Sequence, residues 1–241
     1  MNLRDIPSAT PGTHEVGAPS AIHHILLQIY ERLHTVYGPQ GWWPGESQFE
    51  IIIGAILTQN TNWTNVERAI KNLKAKGRLT PDELFKIEIQ ELAELIRPSG
   101  YFNIKAKRLK EFIHFLFNRY KGSLSQMYEQ PMESLRNELL NVKGIGHETA
   151  DSILLYGGDL PIFVVDAYTR RIFVRLRLLP EKVSYAETQK FFMAHLPQDV
   201  NLYNEYHALI VRWGKEACQP KPKCELCPLS EKTKRLSEKS R

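Results

Sequence analysis

Apolar residues in this chain return every three or four positions, segment after segment, and that spacing suits helices far better than strands. Ile22, Leu26, Ile29, Leu33 and Val36 form the first stripe, with Ser20 placed to cap its start and Gly38-Pro39 to stop it. The run SQFEIIIGAILTQ, 47–59, reads as a buried helix. Thr64-x-x-Glu67 reads as the capping box of the next helix, which ends near Gly77. Thr80-Pro81-Asp82-Glu83 opens another, with Thr as N-cap, Pro at N1 and Glu at N3; it runs to Arg97, where Pro98 breaks it. NIKAKRLKEFIHFLFNRY is a long amphipathic helix closed by Gly122, and Pro131 to Leu140 is a short one. Ser184-x-x-Glu187 boxes a helix up to about His195, and Asn201 to Trp213 forms the last. IFVV at 162–165 is the one strand-like run, and no internal repeat is visible. The class expected is all-α.

Bulk properties narrow the function only a little. The 241 residues suffice for one large domain or two small ones. A formal charge of +5 is compatible with nucleic acid without being diagnostic of it. No run approaches the ~18 apolar residues of a membrane helix. The first 19 residues have no apolar core and are expected to be disordered, which argues against a secretory signal and for the cytoplasm. All three cysteines fall in Cys218–Cys227, an odd count that argues against a disulfide framework.

Four stretches carry chemistry. In LLNVKGIGHETADSILLY a helix ends, VKGIG turns, and a second helix starts at about His147. The glycines let backbone pass close to a ligand, and N–H groups at the second helix's start favour an anion. A tight helix corner is the other reading of the same turn. In FVVDAYTRRIFVRL, Asp166 ends an apolar run and precedes a helix bearing Arg170, Arg171, Arg175 and Arg177. It is an N-cap, a rigid carboxylate beside the hairpin, or both. IRPSGYFNIKAKRLK gathers Arg97, Lys105, Lys107, Arg108 and Lys110 around a Gly turn with two aromatics, as a solvated face or a DNA-backbone contact. LTQNTNW breaks a buried helix into polar residues without Gly or Pro, for capping or as a polar wedge.

Taken together and in order, these stretches resemble the endonuclease III-like branch of the helix–hairpin–helix (HhH-GPD) DNA glycosylase superfamily over roughly residues 20–229. The resemblance implies a two-domain all-α fold. Residues 40–160 would form a six-helix barrel with the helix–hairpin–helix at 136–156. Residues 20–39 and 161–229 would form a discontinuous terminal domain with a Cys loop, and 230–241 a disordered basic tail. It also implies double-stranded DNA with base damage as the partner of a monomer, bound across a cleft with the target nucleotide flipped out. Asp166 matches the catalytic aspartate. Gln59 matches a glutamine that enters the gap left by the flipped nucleotide. Val142, Lys143, Gly144, Ile145 and Gly146 match the phosphate-binding hairpin, with Lys105 a further DNA contact.

Two departures refine that expectation. The family's lyases carry a Schiff-base lysine two residues after the second hairpin glycine; here that residue is Glu148. A carboxylate cannot form the imine. The reading is therefore a monofunctional glycosylase, nearest to the alkylpurine (3-methyladenine) members, which need less acid catalysis because the leaving base is already cationic. Trp42, Trp43 and Trp63 are candidates to stack on such a base, or are core residues. Lys143 and Lys215 are alternative amines for a bifunctional glycosylase/AP lyase. A non-catalytic helix–hairpin–helix DNA-binding module is the remaining alternative. The second departure is CQPKPKCELCPLSEKT. Many members close with Cys-x6-Cys-x2-Cys-x5-Cys around a 4Fe–4S cluster. Here Cys218, Cys224 and Cys227 have the first spacing one residue short, and Thr233 stands in the fourth position. A cluster with a non-Cys ligand and a metal-free relic loop stay equally open, with zinc a weaker third option.

Overall fold

The computed structural model describes residues 21–230; the expected cap Ser20, Thr233, and the segments 1–19 and 231–241 lie outside them. The described residues are helical, with no strand among them. The chain divides into two compact units: Trp43–Leu160, and the described parts of Met1–Trp42 with Pro161–Arg241.

The Trp43–Leu160 unit is built around α2 (Gln48–Leu57). Ile52, Ile53, Ile56 and Leu57 of this helix are wholly buried, as expected of a helix apolar on every side. It packs against α3 (Trp63–Ala75), α6 (Phe102–Tyr120) and α9 (His147–Ser152) with the π-helical turn Ile153–Gly157 that follows. The cap of α3 is Asn62, whose side chain accepts from Asn65 N, and not the expected Thr64. Glu67 is drawn instead to Trp63, one helical turn back, whose Nε1 donates at 2.7 Å. Thr80 caps α4 (Pro81–Lys86) with Pro at the first position, as the sequence indicates. That helix does not run on to Arg97, however. Ile87 turns extended and buries its side chain, and Lys110 Nζ donates to the carbonyls of Leu84 and Phe85 at 2.9 Å, capping the helix. The chain then forms α5 (Ile89–Leu95) and the short 3-10 turn Arg97–Ser99. A helix not apparent from periodicity, α7 (Leu124–Tyr128), is capped by Ser123; α8 (Met132–Leu140) follows.

The other unit holds α1 (Ala21–Tyr37), α10 (Ala167–Arg175), α11 (Tyr185–His195) and α12 (Val200–Glu216). The Ser184/Glu187 capping box of α11 is fully formed. Tyr203, Tyr206 and Trp213 of α12 are buried, and Phe163 stacks on Phe192 at 4.1 Å. The strand expected at 162–165 does not form. Ile162 to Val165 are buried, but side chains rather than a neighbouring strand serve their backbone: Gln189 Nε2 donates to Phe163 O at 2.7 Å, and Tyr185 Oη accepts from Val165 N at 3.3 Å. An isolated apolar run without a pairing partner cannot be a strand.

Candidate active site and nucleic-acid interface

The hairpin lies in the Trp43–Leu160 unit. After Leu140 the chain turns through 141–146 into α9. Val142 and Ile145 point inward at 8% and 5% exposure, while Lys143, Gly144 and Gly146 are exposed. Gly144 has φ +92, in the left-handed region, and a side chain there would collide with Arg108. Gly146 starts α9 without offering a side-chain oxygen to the first-turn N–H groups, an arrangement that suits an anion. Arg136 on α8 grips the wholly buried Asp151 on α9 through two bonds of 2.6 and 3.1 Å, which fixes the two helices on either side of the turn. Neither residue stands out in the sequence, because only the hairpin brings them together.

Gln59 follows α2 and reaches this hairpin. Its Nε2 donates to Gly144 O at 3.1 Å and to Thr149 Oγ1 at 2.9 Å, and its Oε1 accepts from Arg108 Nη1. The polar break after Leu57 serves the capping reading of its sequence, since Asn62 caps α3, and it leaves Gln59 bonded to the turn.

The expected basic cluster disperses. Lys105 is 1% exposed, and its ammonium donates to Leu57 O at 2.8 Å and Ser99 O at 2.7 Å, so it is not available to DNA as the sequence suggested. Helix periodicity put it on the polar face, but two carbonyls left over at the end of α2 and in the 3-10 turn draw it inward. Burial, and then the charge of Arg108, lowers its pKa to about 8. Arg97 pairs with Glu94 at 2.7 Å, and Lys110 caps α4. Lys107 and Lys143 are exposed, and with Arg108 and Gly144 they line an open cavity of about 580 Å³. Tyr101, which sequence reasoning noted only as one of two aromatics, starts α6 at φ +48 and is 69% exposed. Left-handed backbone is uncommon for a large aromatic residue.

Trp43 and Trp63 meet edge to face at 5.2 Å, with Tyr156 5.2 Å from Trp43. Gly54 makes room for them, because a Cβ there would lie 3.0 Å from Trp43 Nε1 and 3.4 Å from Trp63. Both indoles are half-buried. Trp42 belongs to the other unit, where it lines a cavity with Tyr30, His34 and Asp199.

Asp166 is in that second unit, at the N-cap of α10 and 8% exposed. Its Oδ1 accepts from Thr169 N at 2.7 Å and Thr169 Oγ1 at 2.8 Å. Its Oδ2 lies 3.8 Å from Nε2 of the buried His207. Burial lowers the His207 pKa, against the opposing pull of Asp166. The carboxylate is therefore fixed in position with one oxygen clamped, at a helix start that favours negative charge. Thr169 and His207 carry no sequence signal of their own. Arg170, Arg171 and Arg175 lie on α10, while Arg177 falls beyond its end at φ +58.

The cysteine loop is held by arginines. Arg171 Nε donates to Cys218 O at 2.9 Å, and Arg175 donates to Cys218 Sγ at 3.3 Å and Pro220 O at 2.8 Å. Burial pushes the Cys227 thiol up. Three thiols supply one ligand fewer than a 4Fe–4S cluster requires, and among the described residues no group of three or more His, Cys, Asp or Glu side chains is placed to hold a metal ion. The described residues do not fit a cluster. Lys215 is exposed near the end of α12. No helix among the described residues is long and apolar enough to cross a membrane.

An all-helical fold with a glycine hairpin and a clamped aspartate defines a recognisable class. The model of the HhH-GPD superfamily of base excision DNA repair proteins matches residues 53–198, and the chain belongs to that superfamily, whose members are DNA glycosylases. It is 47% identical over 209 residues to a provisionally named DNA repair glycosylase of Methanocaldococcus jannaschii, covering 86% of this chain and 94% of that one. It is 33% identical over 180 residues to endonuclease III of Thermotoga maritima, covering 74% and 79%. Among solved structures, the Helicobacter pylori 3-methyladenine DNA glycosylase MagIII bound to 1,N6-ethenoadenine aligns with a TM-score of 0.69 and 31% identity, over 81% of this chain and 97% of that one. A trapped endonuclease III–DNA covalent intermediate aligns with a TM-score of 0.73 at 23% identity, over 89% and 98%, a likeness of fold alone.

Proposed function

We propose that this DNA glycosylase hydrolyses the N-glycosidic bond of an alkylated purine in double-stranded DNA and does not cleave the strand. The observation that carries the reading is Asp166, a buried carboxylate clamped by Thr169 at the start of α10. As the C1′–N bond breaks, its electron pair leaves with the base, and positive charge grows on the sugar. The fixed carboxylate opposes that charge and orients water, whose oxygen bonds C1′ while its proton passes to solvent. A cationic alkylpurine leaves as a neutral base, so no strong acid is needed. That substrate class is also supported by the 31% likeness to a 3-methyladenine glycosylase.

Lys143 and the exposed Gly144 and Gly146 would hold phosphate, and Gln59 would fill the gap left by the flipped nucleotide. Trp43 and Trp63 offer half-buried rings for a cationic base. Glu148, exposed at the family's lysine position, supports hydrolysis without an imine. The 33% likeness to an endonuclease III favours the second reading, a bifunctional glycosylase/AP lyase using Lys143 or Lys215.

A panel of duplexes, each with one damaged base, tests both readings. Release of alkylpurines by the wild type, and loss of release by about a hundred- to a thousand-fold in Asp166→Asn with DNA binding kept, is expected. An Asp166→Asn enzyme that remains active overturns the role of Asp166. Borohydride with abasic DNA should leave no covalent adduct; an adduct decides for the lyase.

A further inference from the structure

Two of the three partners of Gln59 have fixed character. A guanidinium has only donors and a backbone carbonyl only accepts. Arg108 must therefore face Oε1 and Gly144 O must face Nε2, and no flipped amide satisfies both. Both Nε2 hydrogens are taken up, by Gly144 O and Thr149 Oγ1. The aliphatic stem of Arg108 lies against Gly144, where only a glycine leaves it room. Arg108 thus joins α6, the turn that follows α2 and the turn before α9 in one contact set.

We propose that Arg108 is a positioning residue that acts through Gln59, fixing the orientation and place of the amide at the hairpin before DNA arrives. The proposal rests on the reading that Gln59 enters the gap in the duplex. Without the guanidinium, Nε2 would keep Gly144 O and Thr149 Oγ1 but Oε1 would lose the donor that holds it, so the amide would be held less firmly and insertion would have to reorder it. Arg108 is half-buried, so an independent phosphate contact is the competing role.

The test needs no knowledge of the lesion. The probe is a duplex carrying a tetrahydrofuran abasic analogue opposite 2-aminopurine, whose fluorescence reports unstacking at the gap. The proteins are wild type, Arg108→Met, Arg108→Lys, Gln59→Ala and the double variant Arg108→Met/Gln59→Ala. Arg108→Met keeps a stem against Gly144 and loses every donor. The rate of the fluorescence change should fall by about tenfold in Arg108→Met and in Gln59→Ala, and no further in the double variant. Arg108→Lys, with a donor restored, should recover part of it. Multiplying effects in the double variant overturn the proposal and leave the gap-filling reading standing. A Gln59→Ala protein indistinguishable from wild type overturns the gap-filling reading itself, and the proposal with it. Thermal melting of each variant reads folding separately.

Discussion

Replacing Lys105 by methionine separates a structural lysine from a DNA contact. The ammonium bridges Leu57 O, at the end of α2, and Ser99 O, in the 3-10 turn before α6. Methionine matches the stem but donates nothing, so two buried carbonyls lose their partner at about 1–3 kcal/mol each. Relief of the ammonium's own desolvation offsets part of that loss. The net expected is about 1–4 kcal/mol, which at about 3 °C per kcal/mol lowers the melting temperature by about 3–12 °C. Linkage gives a second signature. The folded-state pKa of about 8 lies below the ordinary 10.5, so the unfolded chain holds the proton more tightly. Stability of the wild type should rise as pH climbs from about 8 to 10.5, and Lys105→Met should lack that rise. DNA binding at several salt concentrations completes the assay, because a lysine on a phosphate contributes about 0.9 to the slope of log K against log salt. An unchanged slope with lost stability is expected. A slope reduced by about one with stability intact would refute the reasoning.

Three further outcomes are expected. Arg136→Met removes both guanidinium bonds from the wholly buried Asp151 carboxylate and should cost about 3–5 kcal/mol in denaturant unfolding. Gly144→Ala places a side chain at φ +92 and against Arg108; about 1–2 kcal/mol of backbone strain should appear as lost stability in thermal melting, larger than in Gly146→Ala, where space is open. Burial holds the His207 pKa below 6.5, so as pH falls below that value the unfolded chain takes up the proton first; stability should decline there, and His207→Gln should lose that component of the decline in melting followed from pH 7 to 5.

Much of the fold was legible because helix periodicity and capping are local. Thr80, Ser184 and Asp166 act as the caps their neighbours in sequence suggested. Where reading failed, a distant group had intervened. Lys110 ended α4 early, and Gln189 replaced a strand partner at Phe163. Lys105 failed in the same way, since its spacing reads as solvated and its partners lie at Leu57 and Ser99.

By itself the sequence determined that the chain is helical, that Gly144 and Gly146 bracket a turn, that Asp166 begins a helix, and that no lysine stands at position 148. These follow from residue type and spacing, which act over a few positions. Tertiary structure alone decided that Lys105 is buried, that Thr169 and His207 accompany Asp166, that Arg136 grips Asp151, and that Arg108 donates to Gln59. Buried polar groups must find partners wherever the fold brings them, and no local pattern records which ones they will be.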